Sequence, residues 1–386
     1  MGPQPGTPRW RRWAGRAGLL LGGLVVGAAL AEGGARLLAP APAAELLGEP
    51  SRDATPGLYQ MDAQLGHVPV PGYRTTWPSP EGEIAVEVAP DGTRAPGPPA
   101  GLPRWLAVGD SYTLAVQVDA GDTFAAQLAA RAGIGAVNAG VDGYGTWESH
   151  LRYARLADAT PVEGVLYTLF SGNDLTDNPS WRGRMRVQSV DAPLPPAPPG
   201  HAGPGRAIVP YRPATWAHRL KRWSVLFSAV HVLRHQPVVA ANGTLTRYKQ
   251  ETLAMTRPGA GHRRGLLQEL GAALRRFGAA AESRGDVLWV VLAPAPWMLD
   301  DASAAATLGA LGHPPADADI VAFHRDLLAT VDATGLPRCD LLPALRNSVL
   351  RGESPFLRYD GHFSARGHVV AAAAIARCLS EGPGPR

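Results

Sequence analysis

Five short apolar runs punctuate the chain, and helical spacing fills the gaps between them. The runs are Trp105-Leu106-Ala107-Val108, Ala136 to Asn138, Val165 to Phe170, Val287 to Ala293 and a short one near Cys339 to Leu342. None alternates with polar residues, so each reads as a strand covered on both faces. Between them, residues 264 to 283 place Leu266, Leu267, Leu270, Leu274 and Phe277 on one helical face. Residues of about 316 to 333 do the same with Ile320, Val321, Phe323, Leu327 and Leu328. Two more helices are predicted, from Asp122 (as N-cap) to Arg131 and from about Thr146 to Ala157. Ser364 is placed to cap a last helix carrying Val369, Val370 and Ile375. Strands alternating with helices predict a parallel sheet in a three-layer α/β/α domain, here over residues 102–380.

Other stretches depart from this rhythm. Residues 61–101 hold an alternating run, Ile84 to Val88, followed by Pro90-Asp91-Gly92, and predict a small β-rich extension with a hairpin. Its simplest role is to cover a sheet edge. Residues 39–60 are rich in Ala and Pro and read as a stalk. An insertion at about 175–260 begins Pro-rich, from Asp191 to Gly205, and continues with a helical pattern from Trp216 to Arg234. It leaves the carboxyl end of the third core strand, so it either overhangs a site there or packs as an appendage.

Composition changes the picture at one place. The net charge is +4, yet it is dispersed, and Lys221 and Lys249 are the only lysines. A nucleic-acid partner would need a clustered basic face, which is missing from the pattern. The dense cluster is Arg9, Arg11, Arg12 and Arg16, in a basic region of residues 1–16. It precedes an apolar segment at 17–38, strongest from Ala17 to Ala31. That order predicts a signal anchor or signal peptide, with an uncleaved anchor slightly favoured and Ala29-Leu30-Ala31 as a possible cleavage site. Either way the later residues are expected outside the cytoplasm, membrane-anchored if uncleaved and secreted if cleaved.

The candidate chemistry clusters at strand ends. Gly109-Asp110-Ser111 follows the first core strand, where open α/β sheets place their sites. Ser111 is the candidate nucleophile, although Gly-Asp-Ser alone also suits a turn or helix cap. No Gly-x-Ser-x-Gly elbow surrounds any serine. Asp360-Gly361-His362 precedes the last helix. His362 is the candidate base and Asp360 its orienting carboxylate, with His368 read as structural. His67, His150 and His324 read as surface or packing residues. Asn138-Ala139-Gly140 follows the second strand and Ser171-Gly172-Asn173-Asp174 the third. The backbone N–H groups of Ser111 and Gly140, with the Asn173 side-chain amide, could form an oxyanion hole. Gly140 and Asn173 are equally at home in simple turns. No metal-ligand cluster, phosphate loop or cofactor motif is present, so neither cofactor nor metal is expected.

These blocks, with Val118-Asp119-Ala120-Gly121-Asp122-Thr123-Phe124 and Asp360-Gly361-His362-Phe363-Ser364-Ala365-Arg366-Gly367-His368, resemble the SGNH (GDSL-like) hydrolase superfamily, in its exported bacterial branch. The resemblance implies a flavodoxin-like strand order. It assigns the four named positions to Ser111, Gly140, Asn173 and His362, with Asp360 as third triad member. One residue separates Asp360 from His362 where the usual block has two, which resembles bacterial polysaccharide O-acetyltransferase-like proteins. The expected activity is a serine esterase or deacylase acting on an exported small-molecule or glycan acyl ester. The alternatives are a cell-envelope polysaccharide O-acyltransferase and a non-catalytic envelope binding protein. Cys339 and Cys378 either pair or remain separate thiols, and both readings stay open.

Overall fold

The computed structural model describes residues 57–79, 82–185, 256–257, 261–310, 318–357 and 361–382, with residues 16, 19, 22, 23 and 25–34 near the N-terminus. The chain divides into two compact units, one made of Met1–Gly48 and Pro213–Val238, the other of Glu49–Arg212 and Val239–Arg386. In the first, residues 25–34 are helical. No helix among the described residues is long and apolar enough to cross a membrane. The rest of the expected anchor at 17–38, most of the stalk and nearly all of the insertion beyond residue 185 lie outside the described residues.

The second unit opens with β structure. A hairpin pairs β1 (Tyr59–Asp62) with β2 (Gly66–Pro69). β1 begins within the stretch read as stalk because Leu58 and Tyr59 are buried. A second antiparallel sheet joins β3 (Arg74–Ser79), β4 (Gly82–Val88) and β5 (Arg94–Ala95). Ile84, Val86 and Val88 of β4 face inward, as their alternation predicts.

The core sheet contains β6 (Arg104–Gly109), β7 (Gly135–Asn138), β8 (Gly164–Phe170), β9 (Val287–Ala293) and β10 (Arg338–Asp340). Every neighbouring pair is parallel. The order β10-β9-β8-β6-β7 is the flavodoxin-like order, with the reversal at β6. All of β8 is buried, which is why Gly164–Phe170 shows no polar alternation.

The described helices of this unit are α1 (Ser111–Leu114), α2 (Phe124–Ala132), α3 (Thr146–Ala159), α4 (Asp174–Met185), α5 (Gly261–Glu282), α6 (Asp301–Ala310), α7 (Ile320–Asp332), α8 (Leu342–Leu350) and α9 (Ala365–Glu381). Among them α2 and α8 pack on α9, and α3, α4 and α7 pack on α5. Cys339 of β10 and Cys378 of α9 form a disulfide with a Cα–Cα distance of 5.8 Å, so the paired reading holds.

Several boundaries differ from the sequence expectation. α2 is capped by Thr123, whose hydroxyl accepts from the Ala126 N–H at 3.3 Å, because Ala120–Asp122 is a separate 3-10 turn. α7 starts at Ile320, where the Asp319 carboxylate accepts from Ala322 at 2.8 Å. β10 stops at Asp340, whose carboxylate accepts the Leu342 N–H and so opens α8. α6 does not follow from apolar spacing, since it is short and carries few large side chains, and α8 was not expected although Leu342, Leu345 and Val349 fall at helical spacing.

Candidate active site

The turn after β6 is built around a buried carboxylate. Asp110 is fully buried, and its Oδ1 accepts the Tyr112 N–H at 2.9 Å. It thereby caps α1, and Ser111 occupies the first helical position. Gly109, at φ 150°, leaves no room for a side chain: a Cβ there would lie 2.6 Å from Thr113 Oγ1 and 2.8 Å from the Thr168 carbonyl. Ser111 is half-buried, at the carboxyl edge of the sheet next to the topological reversal.

The second component arrives from the far end of the sequence. His362 lies in the segment between α8 and α9, and its Nε2 stands 2.8 Å from Ser111 Oγ. With Nε2 unprotonated, the hydroxyl donates to it. The Leu357 N–H donates to the His362 carbonyl at 2.8 Å, and the Gly361 N–H donates to the Leu357 carbonyl at 3.1 Å. Phe356 and Phe363 form an isolated antiparallel bridge, and Ser364 Oγ accepts the Gly367 N–H to start α9. Asp360, the predicted orienter, lies outside the described residues.

Tyr112 joins the two components. Its hydroxyl donates to the Gly361 carbonyl at 2.5 Å, and its ring stacks on Phe170 at 3.9 Å. The same ring lies 5.0 Å from the His362 ring. His368 is instead buried under α2, its Nδ1 accepting the Phe124 N–H at 3.2 Å. Burial, then the Arg94 and His362 charges, holds its pKa down at about 3. His150 stacks on Phe277, and burial lowers its pKa to about 4. His324 pairs with Asp340 at 2.9 Å, and His67 Nε2–H donates to the Asp142 carbonyl at 2.8 Å.

Gly140 packs directly on the helix that carries Ser111. A Cβ there would lie 2.3 Å from the Leu114 nitrogen and 2.7 Å from Thr113 Cβ, so only glycine fits. Its N–H donates to Asn138 Oδ1 at 3.2 Å, while Asn138 Nδ2 donates to the Thr113 carbonyl at 2.6 Å. Asn173 Nδ2 donates to Asp177 Oδ2 at 2.6 Å, which occupies one of its two amide hydrogens. Ser111, His362 and Gly140 therefore converge on α1. Asn173 comes from the segment that follows Phe170, the ring stacked on Tyr112.

Sequence reasoning passed over the roles of Asp110, Tyr112, Asn138 and Asp174. The carboxylates of Asp110 and Asp174 are both fully buried. Burial raises both above the ordinary carboxylate range, and for Asp174 the charge of Asp110 adds to it. Tyr167 and the Phe170 N–H both donate to Asp174 Oδ2 at 3.0 Å. Asp110 Oδ2 and Asp174 Oδ1 have no hydrogen-bond partner among the described residues. Burial thus favours the neutral forms of these two acids near the serine–histidine pair. All four lie inside or beside the strand-end segments that carry Ser111, Gly140 and Asn173, and that proximity was the available signal. Among the described residues no cluster of His, Cys, Asp and Glu is arranged to hold a metal ion.

Part of the chain is similar to a known family. Residues 254–386, which include the His362 block, match the SGNH hydrolase-like domain, acetyltransferase AlgX. No curated protein matches the chain. Among solved structures, a lipolytic protein of the G-D-S-L family from Desulfitobacterium hafniense DCB-2 is 13% identical, with a TM-score of 0.37 over 72% of this chain and 99% of that one. An acetyl xylan esterase variant from Geobacillus stearothermophilus is 14% identical, with a TM-score of 0.36 over 72% of this chain and 94% of its own. TesA is 14% identical, with a TM-score of 0.37 over 72% of this chain and 98% of its own. The family match falls on the His362 side of a serine–histidine pair at the carboxyl edge of a parallel sheet, so it is residues 254–386 that are similar to an SGNH hydrolase-like domain.

Proposed function

We propose that this protein is a serine esterase or deacylase acting on O-acylated glycans or small acyl esters outside the cytoplasm. The observation that carries the reading is the 2.8 Å approach of Ser111 Oγ to His362 Nε2. In this reading Ser111 gives its proton to His362 as its oxygen bonds to the acyl carbon. The oxyanion is met by the N–H groups of Ser111 and Gly140 and by the Asn173 amide. Gly140 then exchanges its long bond to Asn138 for the substrate oxygen. Collapse breaks the ester bond, and the imidazolium returns the proton to the departing alcohol. Asp360 orients His362. Water then cleaves the acyl-serine.

A second reading replaces that water with a sugar hydroxyl, making the protein an O-acyltransferase. The observation favouring it is the match of residues 254–386 to an acetyltransferase family. One experiment separates the two. The purified chain is incubated with acetylated glycans and short acyl esters, with and without acceptor sugars, and the acyl group is followed by mass spectrometry. Free acid in both conditions supports hydrolysis, and acylated acceptor supports transfer. A fluorophosphonate probe should label Ser111 and should not label Ser111→Ala. Labelling that persists or maps to another serine removes both readings. The extracytoplasmic location rests on the arginines before Ala17 and is tested by a C-terminal alkaline phosphatase fusion, expected to be active.

A further inference from the structure

The N-terminal β strands do more than cover an edge. Arg94, on β5, is 3% exposed and enters the core beneath α1. Its Nη1 donates to the carbonyls of Leu114, at 2.7 Å, and Ala115, and its Nη2 donates to the Val118 carbonyl at 2.5 Å. Burial lowers its pKa to about 10, opposed by the charge of Asp119, so it is a cation at neutral pH.

Why the turn needs such a clamp follows from its length. α1 has four residues, too few to be stable alone, and its last carbonyls have no partner within it. It ends at Ala115, which has φ 53° and is the one non-glycine residue at positive φ among the described residues. That conformation costs about 1–2 kcal/mol for an alanine and persists only where neighbours dictate it. The Ala115 N–H donates back to the Ser111 carbonyl at 2.8 Å. A single residue therefore links the guanidinium to the nucleophile's own backbone. Asn138 takes the Thr113 carbonyl of the same turn and holds the Gly140 N–H on its other arm.

The extension also reaches the loop after Gly140. His67, on β2, donates to the Asp142 carbonyl at 2.8 Å, and the Asp142 N–H donates to the Tyr59 hydroxyl of β1 at 3.4 Å. The Tyr144 hydroxyl donates to the His67 carbonyl. β5 and the β1–β2 hairpin thus grip the two segments that carry Ser111 and Gly140.

We infer that the N-terminal β-extension is a positioning element of the acyl-transfer site, with Arg94 fixing the turn that aims Ser111 and seats Gly140. This rests on the serine–histidine reading above. A misplacement of the attacking oxygen by about 1 Å can cost about 100-fold in rate. A residue needed only for folding would instead lower the fraction of active protein.

Labelling stoichiometry and labelling rate separate these roles. The full chain is treated with excess fluorophosphonate, and both the labelled fraction and the pseudo-first-order rate constant are read. Arg94→Met should label to the wild-type stoichiometry at a rate about 10- to 100-fold lower, with kcat falling and KM within about twofold. Arg94→Lys keeps the buried charge and part of the donor set, and should fall in between. Arg74→Met, at an exposed ion pair on the same sheet, should match wild type. Where Arg94→Met fails to fold, Arg94→Lys decides. An unchanged rate constant in folded Arg94→Lys overturns the inference. Failure of the wild type to label overturns instead the serine reading on which it rests.

Discussion

The two sides of the candidate site are held in different ways. On the nucleophile side, Asp110 and Thr113 are fully buried, and the turn is fixed by the sheet beneath it, by Asn138 and by Arg94. On the base side, His362 belongs to a segment between α8 and α9 tied by backbone bonds, the Phe356–Phe363 bridge, the Ser364 cap, the Tyr112–Gly361 bond and Glu353, which accepts from Ser348, Arg351 and Arg366. A covalent tie, Cys339–Cys378, closes the loop that contains it. The first side is fixed directly against the sheet, and the second through ties to α8, α9 and Tyr112. Substitutions on the nucleophile side should therefore alter rate through geometry. Changes at the base-side anchors should alter stability first.

The strongest test of that division removes the base itself. His362→Ala should leave the fold intact and lower the fluorophosphonate labelling rate about 1,000-fold or more, as loss of a triad member does. His368→Ala should do the reverse, lowering thermal stability with a smaller loss of rate per folded molecule, because His368 is buried against α2. If His368→Ala is the inactive variant and His362→Ala stays active, the base is on the wrong helix end.

The anchor comes next. The disulfide spans a sequence separation of 39. In the chain-entropy account a loop of that size contributes roughly 4 kcal/mol by restricting the unfolded chain. Replacing both cysteines with alanine should lower the denaturation midpoint accordingly. It should also speed hydrogen exchange near 361–363 more than near 111–114. Equal acceleration at both segments would break the distinction between the two sides.

Asn173 tests the third segment. Asn173→Ala should lower kcat about 100-fold, on the order of 3 kcal/mol, the usual cost of one oxyanion donor. KM should change little. A variant with full kcat would remove Asn173 from the oxyanion hole and leave it as the partner of Asp177.

How far the sequence reaches follows the same division. The sheet was legible because its strands are covered on both faces, and a continuous apolar run as short as Val165–Phe170 fits little but a strand buried on both sides. Ser111 and His362 were legible as motif residues, and they meet across 251 residues. The clamps were not legible. Arg94 lies beyond the alternating run, in a two-residue strand with no pattern of its own, and its role depends on burial that only the tertiary fold creates. Tyr112 and Asn138 sit within recognisable motifs, but their partners, Gly361 and Thr113, are set by packing rather than spacing. α8 was missed because the expected strand ran on to Leu342, where the Asp340 side chain already opens the helix.

A smaller effect concerns pH. His368 is neutral when folded, with its pKa down at about 3 against an ordinary 6.5. Its folded pKa is depressed, so its contribution is fully present above about 6.5 and declines as pH falls toward 3. Unfolding takes up a proton there, so acidification favours the unfolded chain. Between pH 8 and about pH 5.5 this residue should cost about 1.4 kcal/mol of stability. His368→Gln, which keeps an acceptor for the Phe124 N–H, should flatten that part of the stability profile. An unchanged slope in the variant would assign the acid sensitivity to other groups.

The smallest expected effect is at the contact between the two sides. The Tyr112 hydroxyl, one residue past Ser111, donates to the Gly361 carbonyl, one residue before His362. Tyr112→Phe removes that bond and keeps the stack on Phe170. One neutral hydrogen bond contributes about 1 kcal/mol net, so stability should fall by about that amount and kcat by about fivefold. Tyr112→Leu also removes the ring beside His362, 5.0 Å away, and should cost more in kcat than in KM. If the nucleophile side is the fixed floor, the loss should appear as freer motion of His362. Its imidazole resonances should broaden in Tyr112→Phe, while backbone exchange at 111–114 stays slow. Faster exchange at 111–114 instead would mean that the base-side segment holds the nucleophile turn, and the order of support between the two sides would have to be reversed.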